Sequence, residues 1–202
     1  MTNACDCSIH LDTLPGVAKI VCLDEVDSTQ AVARELALEG TAQKTLVLAN
    51  TQTAGRGRLG REWESSQGGL YMTLLLTPQT DLKFLPDLSV LCGEAVAETV
   101  TAIYGIKTRI KKPNDVYAFH PRKKKWLKLA GILTESASIN KAPNWLLLGM
   151  GINLNNHVTL PTAVSVKAIK GSGVSREEFL QEFFRLFWLR YAAWEYSSQA
   201  RS

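Results

Sequence analysis

The sequence predicts an α+β fold, a mixed and largely antiparallel sheet flanked by helices. Seven segments read as strands and three as helices, but they do not alternate strand–helix–strand as a wholly parallel sheet would require. The 202 residues, 46% hydrophobic and 21% charged, suffice for one domain with a sizeable core. No repeat or low-complexity linker divides the chain. Residues 1–18 are expected to be a loose lead-in and residues 19–202 the domain itself.

The elements follow in order. Lys19–Leu23 alternates weakly and opens the strand series. Asp27, Ser28 and Thr29 offer capping oxygens for a helix over 30–38, with Val32 and Leu36 on one face and Gly40 as the stop. Residues 45–49 form a strand, and a polar stretch rich in Gly and Arg runs from Gln52 to Gly69. Residues 70–76 are a strongly apolar strand. Pro86 opens a second helix, in which Leu88, Leu91, Ala95, Val96, Val100 and Ile103 keep helical spacing and Gly105 ends the run. Strands at 108–111, 115–119, 127–134 and 145–150 follow. The last helix covers 176–196, with a Ser175/Glu178 capping box, a Val174/Phe179 staple, and an apolar face containing Phe183, Leu186, Phe187 and Tyr191.

Composition excludes several classes of function. A formal charge of +4 suits an anionic ligand or acidic partner without demanding nucleic acid. No apolar run reaches the roughly 18 residues of a membrane span, and Met1 to His10 does not read as a secretion signal. Cys5, Cys7, Cys22 and Cys92 make no disulfide pattern and no metal-ligand spacing. Free thiols without a secretion signal suggest a cytoplasmic protein.

Four segments carry chemistry. In 55–63, GRGRLGREW, glycines let the backbone approach a ligand while arginines supply forked, permanent charge. This suits a phosphate chain, and equally a solvated basic loop or an RGG-like RNA contact. It is neither a Walker loop nor a dinucleotide fingerprint. In 111–115, KKPND, the Asn114–Asp115 pair starts a strand, either as an ordinary turn or as a carboxylate able to meet Mg²⁺ beside phosphates. In 128–135, KLAGILTE, strict alternation puts Lys128, Ala130 and Ile132 on one face and Leu129, Gly131 and Leu133 on the other. Lys128 is then an edge charge or a functional ammonium, and Gly131 lets a ligand lie against the sheet. In 149–155, GMGINLN, glycines flank a strand end near Asn153, as a bulge or as a close approach to a purine. The basic run Arg122 to Lys125 reads as a solvated hairpin tip.

Taken together, these motifs and their order resemble the biotin–protein ligases, as do Asp27–Gln30 and Thr51–Ala54. The likeness spans about residues 20–196. It implies a catalytic domain like that of class II aminoacyl-tRNA synthetases and a two-step reaction: biotin and Mg·ATP form biotinyl-5′-AMP, and a lysine of a biotin carboxyl carrier domain of acyl-CoA carboxylase then takes the biotin. By the same resemblance, Ser28, Thr29, Gln30 and Gln52 hold the biotin head, and Gly55, Arg56, Gly57 and Arg58 form the loop over it. Gly131 lines the tail. Arg58, Arg61, Trp63, Lys111, Asn114 and Asn153 serve the nucleotide. Lys128 sits between carboxylate and α-phosphate, and Asp115 orients the carrier lysine or assists Mg²⁺. Two anions about 4 Å apart repel by roughly 4 kcal/mol at an effective dielectric of about 20, which explains the need for these cations.

The sequence departs from the family pattern at Lys112, where most members have Trp. It shows neither the DNA-binding extension before the domain nor the small domain that many bacterial members carry after it, so no DNA partner is expected. The resemblance leaves a homodimer open. Three rival readings remain: a lipoate or octanoate ligase or transferase of the same fold, a non-catalytic biotin-binding protein, and an RNA-binding module. The last is disfavoured because its arginines lack interleaved aromatics.

Overall fold

The structure, a computed structural model, describes residues 13–138 and 144–201. All seven expected strands are present: β1 (Lys19–Val26), β2 (Thr45–Gln52), β3 (Leu70–Leu76), β4 (Thr108–Lys111), β5 (Asp115–His120), β6 (Lys125–Ala137) and β7 (Trp145–Ile152). The helices are α1 (Thr29–Leu38), α2 (Leu85–Tyr104), α3 (Val166–Lys170) and α4 (Arg176–Gln199). Only α3 is invisible in the sequence, because its five residues are too few to show a period.

The strands form one sheet in the order β1-β2-β3-β7-β6-β5-β4. β1 and β2 run parallel, and the other neighbouring pairs are antiparallel. This is the mixed, largely antiparallel sheet that was expected. α2 packs over β4, β5 and β6, and α4 packs against α2. Between these helices and the sheet lies the main core, where Leu46, Met72, Leu74 and Leu148 meet Leu88, Val96, Phe183 and Phe187. α1 lies on the opposite face over β2, β3 and β7, closing a smaller cluster of Ala33, Val47, Leu75 and Leu147. β3 is buried on both faces, which is why it reads as an unbroken apolar run.

Local signals set the helix ends. Ser28 caps α1, its hydroxyl accepting from the Gln30 amide at 3.2 Å. Gly105 closes α2 in the left-handed region at φ 66°, donating to the Thr101 carbonyl. Ser175 caps α4 by accepting from Glu178 N at 3.1 Å, as the capping box predicts.

Two features differ from the sequence reading. Residues 13–18 are tied down rather than loose: Leu14 is buried in the main core, Trp188 donates to the Pro15 carbonyl, and Gln181 donates to that of Thr13. The rest of the expected lead-in, with Cys5, Cys7 and the Met1–His10 segment, lies outside the described residues. Cys92 is a free, fully buried thiol whose pKa is pushed up by burial, but Cys22 is disulfide-bonded where free thiols were expected. No helix among the described residues is long and apolar enough to cross a membrane.

Candidate active site

The site lies on the α1 face of the sheet, where α1 begins and β2 ends. Ser28, Thr29 and Gln30 are buried there, although all three are polar. They are held by a hydrogen-bonded chain. The Thr29 amide donates to Gln52 Oε1 at 2.8 Å, and the Thr29 hydroxyl oxygen lies 3.2 Å from the same atom. The Thr29 hydroxyl is also 2.9 Å from that of Thr73, which donates to Gln30 Oε1 at 3.1 Å. Gln52 Nε2 donates to Ser65 Oγ at 2.7 Å. One atom is left over: Gln30 Nε2 is buried and has no hydrogen-bond partner. A buried donor without an acceptor costs about 1–3 kcal/mol, and this one belongs to the lining of the pocket, where its bond is open to an incoming acceptor. Gly149 makes room for the amide, since a Cβ there would overlap Gln30 Oε1.

The Gly- and Arg-rich loop folds back over this floor as a small hairpin. Arg56 bridges Glu62, Gly57 N donates to Arg61 O at 2.7 Å, and Trp63 N donates to Gly55 O at 2.9 Å. Gly55 is required because a Cβ would overlap the Trp63 carbonyl and lie 2.6 Å from Ser65 Oγ. The tip is exposed, with Leu59 in the left-handed region at φ 58°. Arg58 reaches across to donate to Asn114 Oδ1 at 3.0 Å, and Asn114 is itself fixed to β6 by donating to the Ile132 carbonyl at 3.1 Å.

Beyond the polar floor, Trp63 lies across the sheet above two glycines. A Cβ at Gly151 would overlap its indole, and one at Gly131 would come within 2.9 Å of Cζ3. The remaining pocket between these parts is narrow, about 50 Å³, and beside it a cleft of about 1050 Å³ opens between the loop and the start of α2. The larger space is lined by the outer side of the loop, whereas the convergent polar groups face the smaller one. Indole Nε1 is buried without a partner, and Lys128 Nζ stands 5.1 Å from the ring centre. Lys128 also pairs with Asp115, Nζ to Oδ1 at 2.7 Å. That short separation makes an ion pair, although Oδ1 has no donor at hydrogen-bonding angle.

A bulge in β6 puts Lys128 in the site. Tyr117 pairs with Lys128 but Val116 pairs with Ala130, so Leu129 is an extra residue. The extra residue shifts the alternation by one. Leu127, Leu129, Ala130 and Ile132 join the core, and Lys128 comes to the face of Gly131, with its Cε and Nζ 3.5 Å from where a Gly131 Cβ would stand. This corrects the strict alternation, which set Lys128 with Ala130 and Ile132. The displaced backbone is satisfied from outside the sheet: Leu129 O accepts from Asn153 N, and Lys128 N donates to Thr162 O.

Most of the expected residues therefore meet. Ser28, Thr29, Gln30, Gln52, Arg56, Gly57, Arg58, Trp63, Asn114, Lys128 and Gly131 line the narrow pocket, with Gly55 behind it and Asp115 attached through Lys128. Three stand apart. Arg61 is exposed and faces the larger cleft. Lys111 is exposed, its ammonium 5.6 Å above the Tyr117 ring. Asn153 is buried past the end of β7, where its Oδ1 accepts from Asn156 Nδ2 at 3.0 Å. Thr73 and Asn156 escape the sequence reading. Thr73 is the one residue with an aliphatic hydroxyl within the apolar run LYMTLLL, which was the available signal.

The fold and this polar, cation-rimmed pocket define a class that comparison with known proteins makes specific. Residues 23–153 match the model of the biotin/lipoate A/B protein ligase family. The bifunctional ligase/repressor BirA of Bacillus subtilis is 35% identical over 175 residues, which are 83% of this chain and 52% of that protein. The biotin–[acetyl-CoA-carboxylase] ligase of Paracoccus denitrificans is 36% identical over 167 residues, 78% of this chain and 67% of that one. A biotin protein ligase from Aquifex aeolicus, solved with biotin and ATP, superposes with a TM-score of 0.75 at 31% identity, covering 90% of this chain and 73% of that one. The chain belongs to the biotin/lipoate A/B protein ligase family. It spans about half the length of the BirA relatives it matches, 52%.

Proposed function

We propose that the chain is an ATP-dependent biotin–protein ligase, with the residues from 19 onward as its catalytic domain. The observation that carries this reading is the buried, unpartnered Gln30 Nε2 in a polar floor of Ser28, Thr29, Gln52 and Thr73. Biotin ends in a ureido group, whose carbonyl accepts and whose two N–H groups donate. The dithiolane of lipoate and the alkyl end of octanoate have neither, and would leave Gln30 Nε2 unpaired at a cost of about 1–3 kcal/mol. The relatives named as biotin ligases support the same choice.

In the first step a carboxylate oxygen of biotin attacks the α-phosphorus of ATP, and pyrophosphate leaves. Lys128 lies between the two anions, and Arg56 and Arg58 bring further charge from the loop, lowering the repulsion between carboxylate and phosphate. Gly131 gives the biotin tail its path along the sheet. Trp63 and Arg61 enclose the nucleotide side, with Lys111 and Asn114 toward its phosphates and Asn153 toward the adenine. The indole of Trp63 has to leave the narrow pocket for the tail to enter, since about 50 Å³ holds no more than a water or two. In the second step the carrier lysine loses a proton, its amine attacks the acyl carbon, and AMP leaves. Asp115 orients that amine. Its carboxylate is engaged by Lys128, and no cluster of three or more His, Cys, Asp or Glu suited to a metal occurs among the described residues. Mg²⁺ enters with its substrate as Mg·ATP, and Asp115 is the side chain that would assist it there.

The test is pyrophosphate release from Mg·ATP with biotin, lipoate or octanoate as the only acid, with the adenylate identified by mass. Biotin alone should support release. Release with lipoate or octanoate instead would refute the reading of the pocket floor. Biotin binding without release of pyrophosphate would make the protein a non-catalytic binder.

A further inference from the structure

The charge of this chain is unevenly distributed. Residues 107–128 hold nine of its 23 lysines and arginines but, in Asp115, only one of its 19 acidic residues. That stretch carries +8 and the remainder −4, which together give the net +4. It forms β4, β5 and the start of β6, so the excess is gathered at one end of the sheet.

Apart from Lys128 with Asp115, no lysine or arginine of this stretch takes part in an ion pair among the described residues, whereas Arg34, Arg185 and Arg190 elsewhere all pair with glutamates. Arg109 and Lys111 instead lie over aromatic rings on the site side of the sheet. The Arg109 guanidinium is 4.6 Å from the Trp126 ring and 5.8 Å from that of Tyr117, and the Lys111 ammonium is 5.6 Å from Tyr117. Phe119 packs on Trp126 at 5.4 Å. Alternation along β5 places Asp115, Tyr117 and Phe119 on this face and turns Val116, Ala118 and His120 inward. The face therefore starts at the Asp115–Lys128 pair and ends, about five residues or roughly 17 Å away, at the 121–125 turn with Arg122, Lys123, Lys124 and Lys125. α1 covers the other half of this side, over β2, β3 and β7.

Protection of a sheet edge explains charges on β4, the terminal strand. It does not explain the 121–125 turn, which joins β5 to β6, because β5 is paired on both sides. We propose that this face, from Lys111 and Arg109 to the 121–125 turn, is the docking surface for an acidic protein, the carrier domain that presents its lysine to Asp115. The proposal rests on the ligase reading above. The second substrate must stand over whatever surrounds Asp115, and this face is continuous with it. A protein fits better than a single-stranded nucleic acid because the ring faces that would stack on bases are already occupied by cations. What the surface presents is charge, which steers association and sets partner choice.

The test pairs direct calorimetric binding of a purified apo carrier domain of net negative charge with pyrophosphate release, which needs no carrier. The variant R122E/K123E/K125E changes exposed residues outside the reaction site. Carrier binding should weaken at least tenfold in the variant, while biotin-dependent pyrophosphate release stays at the wild-type rate and so reports an intact fold. Wild-type binding should also weaken as NaCl rises to about 0.5 M, with a shallower dependence in the variant. Unchanged carrier affinity in the variant would overturn the proposal. So would a short single-stranded oligonucleotide that binds the wild type more tightly than the carrier does. Failure of pyrophosphate release in the wild type would instead refute the ligase reading, since calorimetry reads docking independently of turnover.

Discussion

Thr73→Val tests the pocket floor with almost no change of shape. Thr73 is fully buried on β3, and its hydroxyl joins Thr29 at 2.9 Å to Gln30 at 3.1 Å. There are two hydroxyl protons for three contacts. Gln52 Oε1 already accepts from the Thr29 amide at 2.8 Å, so the Thr29 proton is available to Thr73 and the Thr73 proton to Gln30. That polarity is what makes Oε1 of Gln30 face inward and leaves Nε2 for the ligand. Valine removes the donor. Either Gln30 keeps its orientation with an orphaned acceptor, at about 1–3 kcal/mol, or the amide rotates and presents an oxygen to the ureido carbonyl. The first outcome lowers stability, and the second opposes the ligand directly. Because about 1.4 kcal/mol is a factor of ten, rotation of the amide should weaken biotin binding roughly tenfold or more. Calorimetric titration with biotin, alongside urea unfolding of the same protein, separates the two. A variant with wild-type stability and a biotin Kd within twofold of wild type would show that Gln30 is not oriented by Thr73, and the argument for ureido recognition would fall with it.

Three further outcomes follow from the same geometry. Lys128→Ala should abolish biotin-dependent pyrophosphate release, since it removes the ammonium on the Gly131 face and strands Asp115; near-wild-type release would remove Lys128 from the first step. Arg58→Gly breaks the 3.0 Å link from loop to Asn114, so it should still form adenylate but release it, seen as biotin on bystander lysines in a mixture with an unrelated protein. An absence of such labelling would mean the latch does not retain the intermediate. Gly151→Ala places a methyl where the Trp63 indole rests and should displace it, changing tryptophan fluorescence in the ligand-free protein relative to a Trp63→Phe control. An unchanged spectrum would show that the indole does not occupy that position.

Much of the sheet was legible because local signals agreed with one another. The buried run 70–76, the helical spacing from Leu88 to Val100 and the Ser175 cap each depend on neighbours within a few residues. The exceptions have long-range causes. Residues 13–18 look unstructured in isolation and are held by partners far away in the chain: Trp188 donates to Pro15 and packs where a Gly16 side chain would stand, and Gln181 donates to Thr13. Thr73 reads as one polar residue in a core strand until α1 brings Gln30 and Thr29 over it. Asn156 gains its meaning from Asn153, which is in turn placed by a bond to Leu129 on another strand.

Lys128 shows how a motif and a period can disagree and both be informative. By alternation alone its ammonium belongs with Ala130 and Ile132, in the apolar core under α2, where desolvation would be severe. The family resemblance set it on the ligand side. The chain resolves the conflict by inserting Leu129 as an extra residue opposite the Val116–Tyr117 junction, so that Lys128 and Gly131, three apart, share a face. A bulge leaves backbone groups unpaired within the sheet, and here the segment after β7 supplies them: Asn153 donates to Leu129 O, Lys128 donates to Thr162 O, and Val164 donates to Lys128 O. The position of the cation is thus set by the ordering of residues 153–164 as much as by β6 itself. The bond that fixes Asn153 past the end of β7 also satisfies the bulge that turns Lys128 into the site, which is a physical reason for the two motifs to occur together in one chain.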